Sequence, residues 1–202
     1  MREYDEIAGW YAEARDPAVG VPDLEAFART LPPGARVLDL GCGTGVPVSR
    51  LLLRAGADLT ALDSSAAMIE RYRANVPGVP AHCVRAQDAA FAPESFDAVV
   101  AWGVLFHAAE TDQRAILARV AAWLAPGGRF LFTSGDVAGV AESRMGGVPF
   151  RYVSLGADAY RRLLEEDGLR LERHHTDAWE NHVYVAVKPL DLGASGATET
   201  SG

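Results

Sequence analysis

The sequence predicts an α/β fold in which short strands alternate with helices. Three observations predict it. Val37-Leu38-Asp39-Leu40 is a short apolar run, followed at once by the turn Gly41-Cys42-Gly43-Thr44-Gly45 and a helix start at Val46-Pro47-Val48. Strand-like runs and helical patterns then alternate as far as Thr133, the order that builds β–α–β units. Two more strand-like segments, Leu169–His174 and His182–Val187, read as a closing antiparallel pair.

In chain order, Tyr4 to Ala14 places Ile7, Trp10, Tyr11 and Ala14 at helical spacing. Asp16-Pro17 ends this helix. A second runs from Pro22 to Thr30, with Leu24, Phe27 and Leu31 as its apolar stripe, and Pro32-Pro33-Gly34 turns the chain. After the glycine turn, Asp58 to Leu62 is a short strand closed by Asp63. Ser64-Ser65 caps a helix that uses Met68, Ile69 and Tyr72. Ala81 to Arg85 is the next strand and leads into Ala86-Gln87-Asp88-Ala89. Phe96 to Trp102 is apolar apart from Asp97, as suits a strand buried on both faces. Thr111 to Ala125 is a helix stopped by Pro126-Gly127-Gly128, and Arg129 to Thr133 is a strand. Residues 135–152 show no period and are expected to form a cap or a mobile loop over a substrate, with Met145, Phe150 and Tyr152 facing the pocket. A helix from Ala157 to Asp167 precedes the closing pair. Between the closing strands lie His174, His175, Asp177, Glu180 and His182, whose spacing fits no metal-ligand pattern; a solvated turn without metal is expected.

With 202 residues, one domain over residues 1–190 is expected, with 191–202 as a Gly/Ala/Ser/Thr tail. The net charge of −8 argues against a nucleic-acid substrate. No apolar run approaches the roughly 20 residues of a membrane span. The first residues lack the apolar core of a signal peptide, and Cys42 and Cys83 suggest no disulfide framework, so a reducing cytoplasm is expected.

The glycine turn is Gly-x-Gly-x-Gly and lacks the third glycine of the dinucleotide fingerprint, where Val46, Pro47 and Val48 stand instead. It resembles motif I of the class I S-adenosylmethionine (SAM)-dependent methyltransferases. The resemblance extends over Tyr4 to Lys188 through Asp63, Asp88-Ala89, the turn Pro93-Glu94-Ser95-Phe96-Asp97 and Leu124-Ala125-Pro126-Gly127-Gly128-Arg129. It implies a Rossmann-like seven-stranded sheet of order 3-2-1-4-5-7-6, with strand 7 antiparallel and helices on both faces. It also implies a site. Asp39, Gly41, Cys42, Gly43, Thr44 and Gly45 would form the cofactor floor. Asp63, with Ser64 and Met68 beyond it, would meet the ribose. Gln87, Asp88 and Ala89 would lie at the adenine, where the family's usual glycine is here Gln87. Trp102 and Gly103 would lie near the adenine or the methionine part, and Tyr4 and Tyr11 would close a helical lid (residues 1–31) over it.

His107 lies at the carboxyl end of the sheet, where ligands of open α/β sheets bind, and its imidazole titrates near neutrality. It is the first candidate for a general base and for a cofactor contact, with His182 second. Tyr11, Phe106, Met145, Phe150, Tyr152 and His182 are the candidate substrate contacts. No Asp/Asn-Pro-Pro-aromatic tetrapeptide and no Pro-Cys nucleophile follows the fourth strand, which points away from adenine-N6, glutamine and cytosine-C5 acceptors. A small organic acceptor and a monomer or homodimer are expected. Three readings stay open: a small-molecule methyltransferase, an enzyme that uses SAM without methylating, and a non-catalytic SAM-binding protein. An NAD enzyme is disfavoured by the missing glycine.

Overall fold

The computed structural model describes residues 2–190; the expected tail at 191–202 lies outside them. The elements in order are α1 (Arg2–Ala14), α2 (Val21–Ala28), β1 (Arg36–Leu40), α3 (Val48–Arg54), β2 (Asp58–Asp63), α4 (Ala66–Asn75), β3 (Ala81–Cys83), β4 (Phe96–Ala101), α5 (Glu110–Trp123), β5 (Leu124–Ser134), β6 (Gly139–Met145), β7 (Val148–Ser154), α6 (Ala157–Glu166), β8 (Arg170–Thr176) and β9 (His182–Val187). Seven strands form one sheet in the order β3-β2-β1-β4-β5-β9-β8, and β6 and β7 form a separate hairpin. With the hairpin set aside, this is the expected order 3-2-1-4-5-7-6. The pairs β1–β2, β1–β4, β2–β3 and β4–β5 are parallel, while β9 runs antiparallel to β5 and β8.

Side chains alternate across the sheet, so each strand feeds two cores. Leu38, Leu40, Val99, Phe130 and Phe132 face α5 and α6. Val37, Val100, Leu131 and Val185 face α2 and α3 on the other side. Ala61, two residues from Leu59, packs beneath Ile69 and Tyr72 of α4 on that second side. Helices on both faces follow from this double burial, and so do the near-continuous apolar strands.

Two expectations are corrected here. The segment 135–152 is mostly hairpin, not loop. Gly139 to Met145 pairs with Val148 to Ser154 across a Gly146-Gly147 turn, where both glycines have positive φ (56° and 83°). No period of two shows because β6 is exposed along nearly its whole length. The helix expected to reach Ala125 ends at Trp123, and Leu124 already pairs with Phe96 before an irregularity that resets the register to Ala98 and Arg129. Pro126-Gly127-Gly128 therefore sits inside β5, not between helix and strand.

A buried polar cluster ties the hairpin to the sheet. The Tyr160 hydroxyl donates to Gln113 Oε1 at 2.7 Å and pairs with Ser134 Oγ at 2.5 Å. Gln113 Nε2 donates to the carbonyl of Val153 in β7 at 2.8 Å. Every member is partnered, so burial carries little penalty and the hairpin is held beside the carboxyl end of β5.

Candidate active site

The chain reverses at the carboxyl ends of β1, β2 and β4 and leaves a cavity of about 230 Å³ there. The glycine turn forms its floor. Gly41 and Cys42 N–H both donate to the Leu62 carbonyl, at 2.8 and 2.9 Å, and bind the turn to β2. The three glycines do different work. A Cβ on Gly41 would lie 2.2 Å from Val104, and one on Gly45 would lie 2.6 Å from Val76, so these two serve packing. Gly43, with φ +52°, faces open space, as does Gly103 with φ +73° across the cavity. These two positions leave bare backbone for a ligand.

Asp63 ends β2 at the cavity wall. Its carboxylate accepts from Gly43 N–H at 3.0 Å and from Ser65 N–H at 2.8 Å. Burial raises its pKa above the ordinary carboxylate range, with these two bonds opposing. Asp39 lies deeper, 1% exposed. It accepts from Ser49 Oγ at 2.5 Å, and burial pushes its pKa up to about 7.

At the far end of the cavity, Gln87 Nε2 donates to Asp112 Oδ2 at 3.2 Å, beside Met68, Leu62 and Ile116. Asp88 is elsewhere, which corrects the expected adenine contact. It is paired with Arg85 at 2.6 Å on the outer surface. The short 3-10 turn Ala86–Asp88 presents Gln87 inward and Asp88 outward. Ala89 is core, and Cys42, Thr44 and Gly45 lie beneath the floor instead of lining the cavity. Asp112 and Arg85 line the cavity without having been singled out in the sequence; Asp112 is visible there only as a helix-start acid.

Helix α1 covers the cavity with Tyr4 and Tyr11. It is pinned by Asp5, whose carboxylate accepts from Ser65 Oγ at 2.6 Å and Ala67 N–H at 3.1 Å. Tyr11 receives a hydrogen bond from Arg15 at 2.5 Å. The Tyr4 hydroxyl pairs with His107 Nε2 at 2.9 Å. Burial pushes the His107 pKa down to about 4, and its Nδ1 is buried without a protein partner.

His107 belongs to an aromatic partition. Phe106, Phe150 and Tyr152 lie 4.7, 5.7 and 5.2 Å from its ring, centre to centre. Behind the partition is a second cavity of about 510 Å³, reached by Phe106, Tyr152 and His182. The wall between the two spaces is thin: Gly103 of the first donates its N–H to Thr133 Oγ1 of the second at 2.8 Å. His182 sits between Asp136, 3.2 Å from its Nε2, and Thr176, 3.3 Å from its Nδ1. Asp136 was not foreseen, because only the fold joins it to His182. Phe150 packs on Tyr4 as part of the partition, and Met145 lies half-buried near the hairpin tip, lining neither cavity.

Among the described residues no cluster of His, Cys, Asp or Glu is arranged to hold a metal ion. In the turn between β8 and β9, Asp177 accepts from the N–H groups of Trp179 and Asn181 at 2.8 Å each. Both cysteines are free thiols. No described helix is long and apolar enough to cross a membrane.

A family model described as "Methyltransferase domain" matches residues 37–128, from β1 into β5. A ubiquinone biosynthesis O-methyltransferase of Xanthomonas campestris pv. campestris is 34% identical over 172 residues, covering 83% of this chain and 62% of that protein. The chain thus spans less than two thirds of the length of such relatives. An uncharacterized methyltransferase of Mycobacterium bovis is 33% identical over 179 residues, covering 85% of this chain and 68% of that one. Among solved structures, the Burkholderia thailandensis 1,6-didemethyltoxoflavin-N1-methyltransferase, with 1,6-didemethyltoxoflavin and S-adenosylhomocysteine (SAH) bound, superposes with a TM-score of 0.71 at 20% identity, covering 93% of this chain and 87% of that one. The likeness to that structure is one of fold. Together with the sheet order and the glycine turn, the M. bovis relative shows that this chain belongs to the class I SAM-dependent methyltransferase family.

Proposed function

We propose that the protein transfers a methyl group from SAM to an O, N or S atom of a small organic acceptor. The observation that carries this reading is the cavity at the carboxyl ends of the parallel strands, with the family glycine turn as its floor and the half-buried strand-end carboxylate of Asp63 in its wall. The first cavity fits SAM. Gly43 and Gly103 leave open space beside bare backbone, Asp63 offers a carboxylate for a ribose diol, and Met68, Leu62 and Ile116 offer an apolar slot for a flat base. When bound, SAM supplies a methyl on a sulfonium, already a good leaving group.

The chain then has to hold the acceptor in line and exclude water, and positioning supplies much of the acceleration. Tyr4 and Tyr11 close one side, and the aromatic partition bounds the other. A proton acceptor is required only for a protonated nucleophile. His107 is poorly suited to that role, because burial penalises its charged form. His182 lines the second cavity, with Asp136 3.2 Å from its Nε2. His182→Gln is expected to lower kcat by about 10²–10⁴ on a hydroxyl acceptor. SAM affinity should be unchanged; an unchanged kcat would remove His182 from the proton path.

A monomer or a homodimer is the proposed state. A reducing cytoplasm is the proposed setting, supported by the two unbridged thiols. The testing experiment is calorimetric titration with SAM, SAH and NAD, followed by product analysis. Micromolar-range binding of SAM and SAH, none of NAD, and SAH as product are expected. Methylthioadenosine as product would replace methyl transfer by transfer from another sulfonium carbon. Absence of SAM and SAH binding would overturn the reading.

A further inference from the structure

Strand β6 leaves one edge of the hairpin open. It is exposed from Gly139 to Arg144, with Met145 half-buried. Among the described residues its ladder partner is β7 alone. The turn Gly146-Gly147, with both φ positive, makes Met145 and Val148 the hydrogen-bonded pair that closes the hairpin. Bonded and non-bonded pairs alternate from there. Arg144, Glu142 and Val140 therefore turn their N–H and C=O groups away from β7. Two observations agree. Pro149, opposite Arg144, has no N–H to give, and the carbonyl of Val153, opposite Val140, points away from β6 to Gln113 Nε2.

An unpaired row of backbone groups is a template for another strand, and proteins blunt such edges with prolines, bulges or charges. β6 has no proline and an unbroken register. Its two charges, Glu142 and Arg144, are of opposite sign and share one face. Charge therefore selects the partner and the register. When two β6 strands pair antiparallel, their outward-turned residues must meet. Glu142 opposite itself, or Arg144 opposite itself, sets like charges together. One register sets Glu142 opposite Arg144 of a second copy, and two-fold symmetry repeats the pair. Ser143 then lies on the axis, and Glu142 stands between that Arg144 and Arg151 of its own hairpin. One N–H of Arg144 donates to the Gly147 carbonyl at 2.5 Å, which leaves the rest of its fork for Glu142. The same register sets Val140 opposite Gly146 of the second copy. A Cβ on Gly146 would lie 3.0 Å from Trp10. Val140 and Trp10, 54% and 48% exposed, thus come to the same end of the ladder.

We propose that β6 pairs with β6 of a second copy, Glu142 opposite Arg144, and joins the two hairpins into one sheet across a two-fold axis. Two strands of seven residues make a smaller contact than the about 1,600 Å² of a standard interface, so the dimer is expected in the micromolar range. The test is sedimentation velocity on a concentration series of the full chain, which does not depend on SAM binding. E142R or R144E alone sets like charges opposite each other twice and should weaken the dimer about ten- to hundredfold. E142R/R144E restores opposite charges and should return dimerisation to near the wild-type level. An equimolar mixture of E142R and R144E should dimerise where neither does alone, a rescue that requires both variants to be folded. A wild type that stays monomeric into the millimolar range would overturn the inference. So would a dimer that both single variants leave intact, or a double variant and a mixture that both stay monomeric.

Discussion

Asp63→Ala is expected to weaken the binding of SAM and SAH by about a hundredfold or more. A hydrogen bond to a charged group contributes about 1.5–3 kcal/mol, and a ribose diol offers two. The same carboxylate holds the Gly43 and Ser65 N–H groups at 3.0 and 2.8 Å. Its loss therefore loosens the turn that forms the floor as well as removing the ligand contact. Asp63→Asn separates the effects, because its carbonyl oxygen still accepts one of these bonds while the charge is gone. An Ala variant that binds SAM like the wild type would remove Asp63 from the cofactor site. An Asn variant as weak as Ala would show that the carboxylate itself matters, beyond the shape of the turn.

The second large effect is on stability against pH, where two buried groups oppose each other. His107 has its folded pKa pushed down to about 4 from 6.5. Below 6.5 the unfolded chain takes up a proton that the folded chain refuses, so stability falls as pH drops from 6.5 to 4. At about 1.4 kcal/mol per pKa unit, the full loss is about 3 kcal/mol. Asp39 has its folded pKa raised to about 7 from 3.8. Its contribution is intact below 3.8 and is lost as pH rises to 7, by about 4 kcal/mol. Between pH 4 and 6.5 the two slopes nearly cancel in the wild type.

Single variants unmask them. Asp39→Asn keeps an acceptor for Ser49 and removes the titration. Relative to wild type, its stability in urea should climb by about 4 kcal/mol between pH 4 and 7.5. His107→Gln should do the reverse, gaining on the wild type as pH falls below 6.5. Differences that stay flat across pH would show that neither group is held in the stated protonation state.

Much of the frame was legible in the sequence. Val37–Leu40, Asp58–Leu62 and Phe96–Trp102 are apolar runs closed by glycine or acid, and such runs report buried parallel strands without reference to anything distant. The glycine turn and Asp63 were legible for the same reason: backbone freedom and a strand-end carboxylate are local properties; a cover by Tyr4 and Tyr11 was implied only by the family resemblance. Residues 139–154 were not, because an exposed hairpin strand has no buried face to impose a period of two. Of Gln87 and Asp88, both expected at the adenine, only Gln87 lines the cavity, because one step around a short turn decides which side chain faces it.

The sequence by itself determined the alternation of strands and helices, the turn that carries the site, and the residue types available there, since all depend on near-neighbour geometry. Only the tertiary structure decided which groups are neutral, which are paired and how the space is divided. Burial pushed His107 down and Asp39 up, folding brought Asp136 to His182, and the hairpin closed a second cavity behind Phe106 and Tyr152. Desolvation and long-range contact act between residues far apart in the chain, and no local pattern records them.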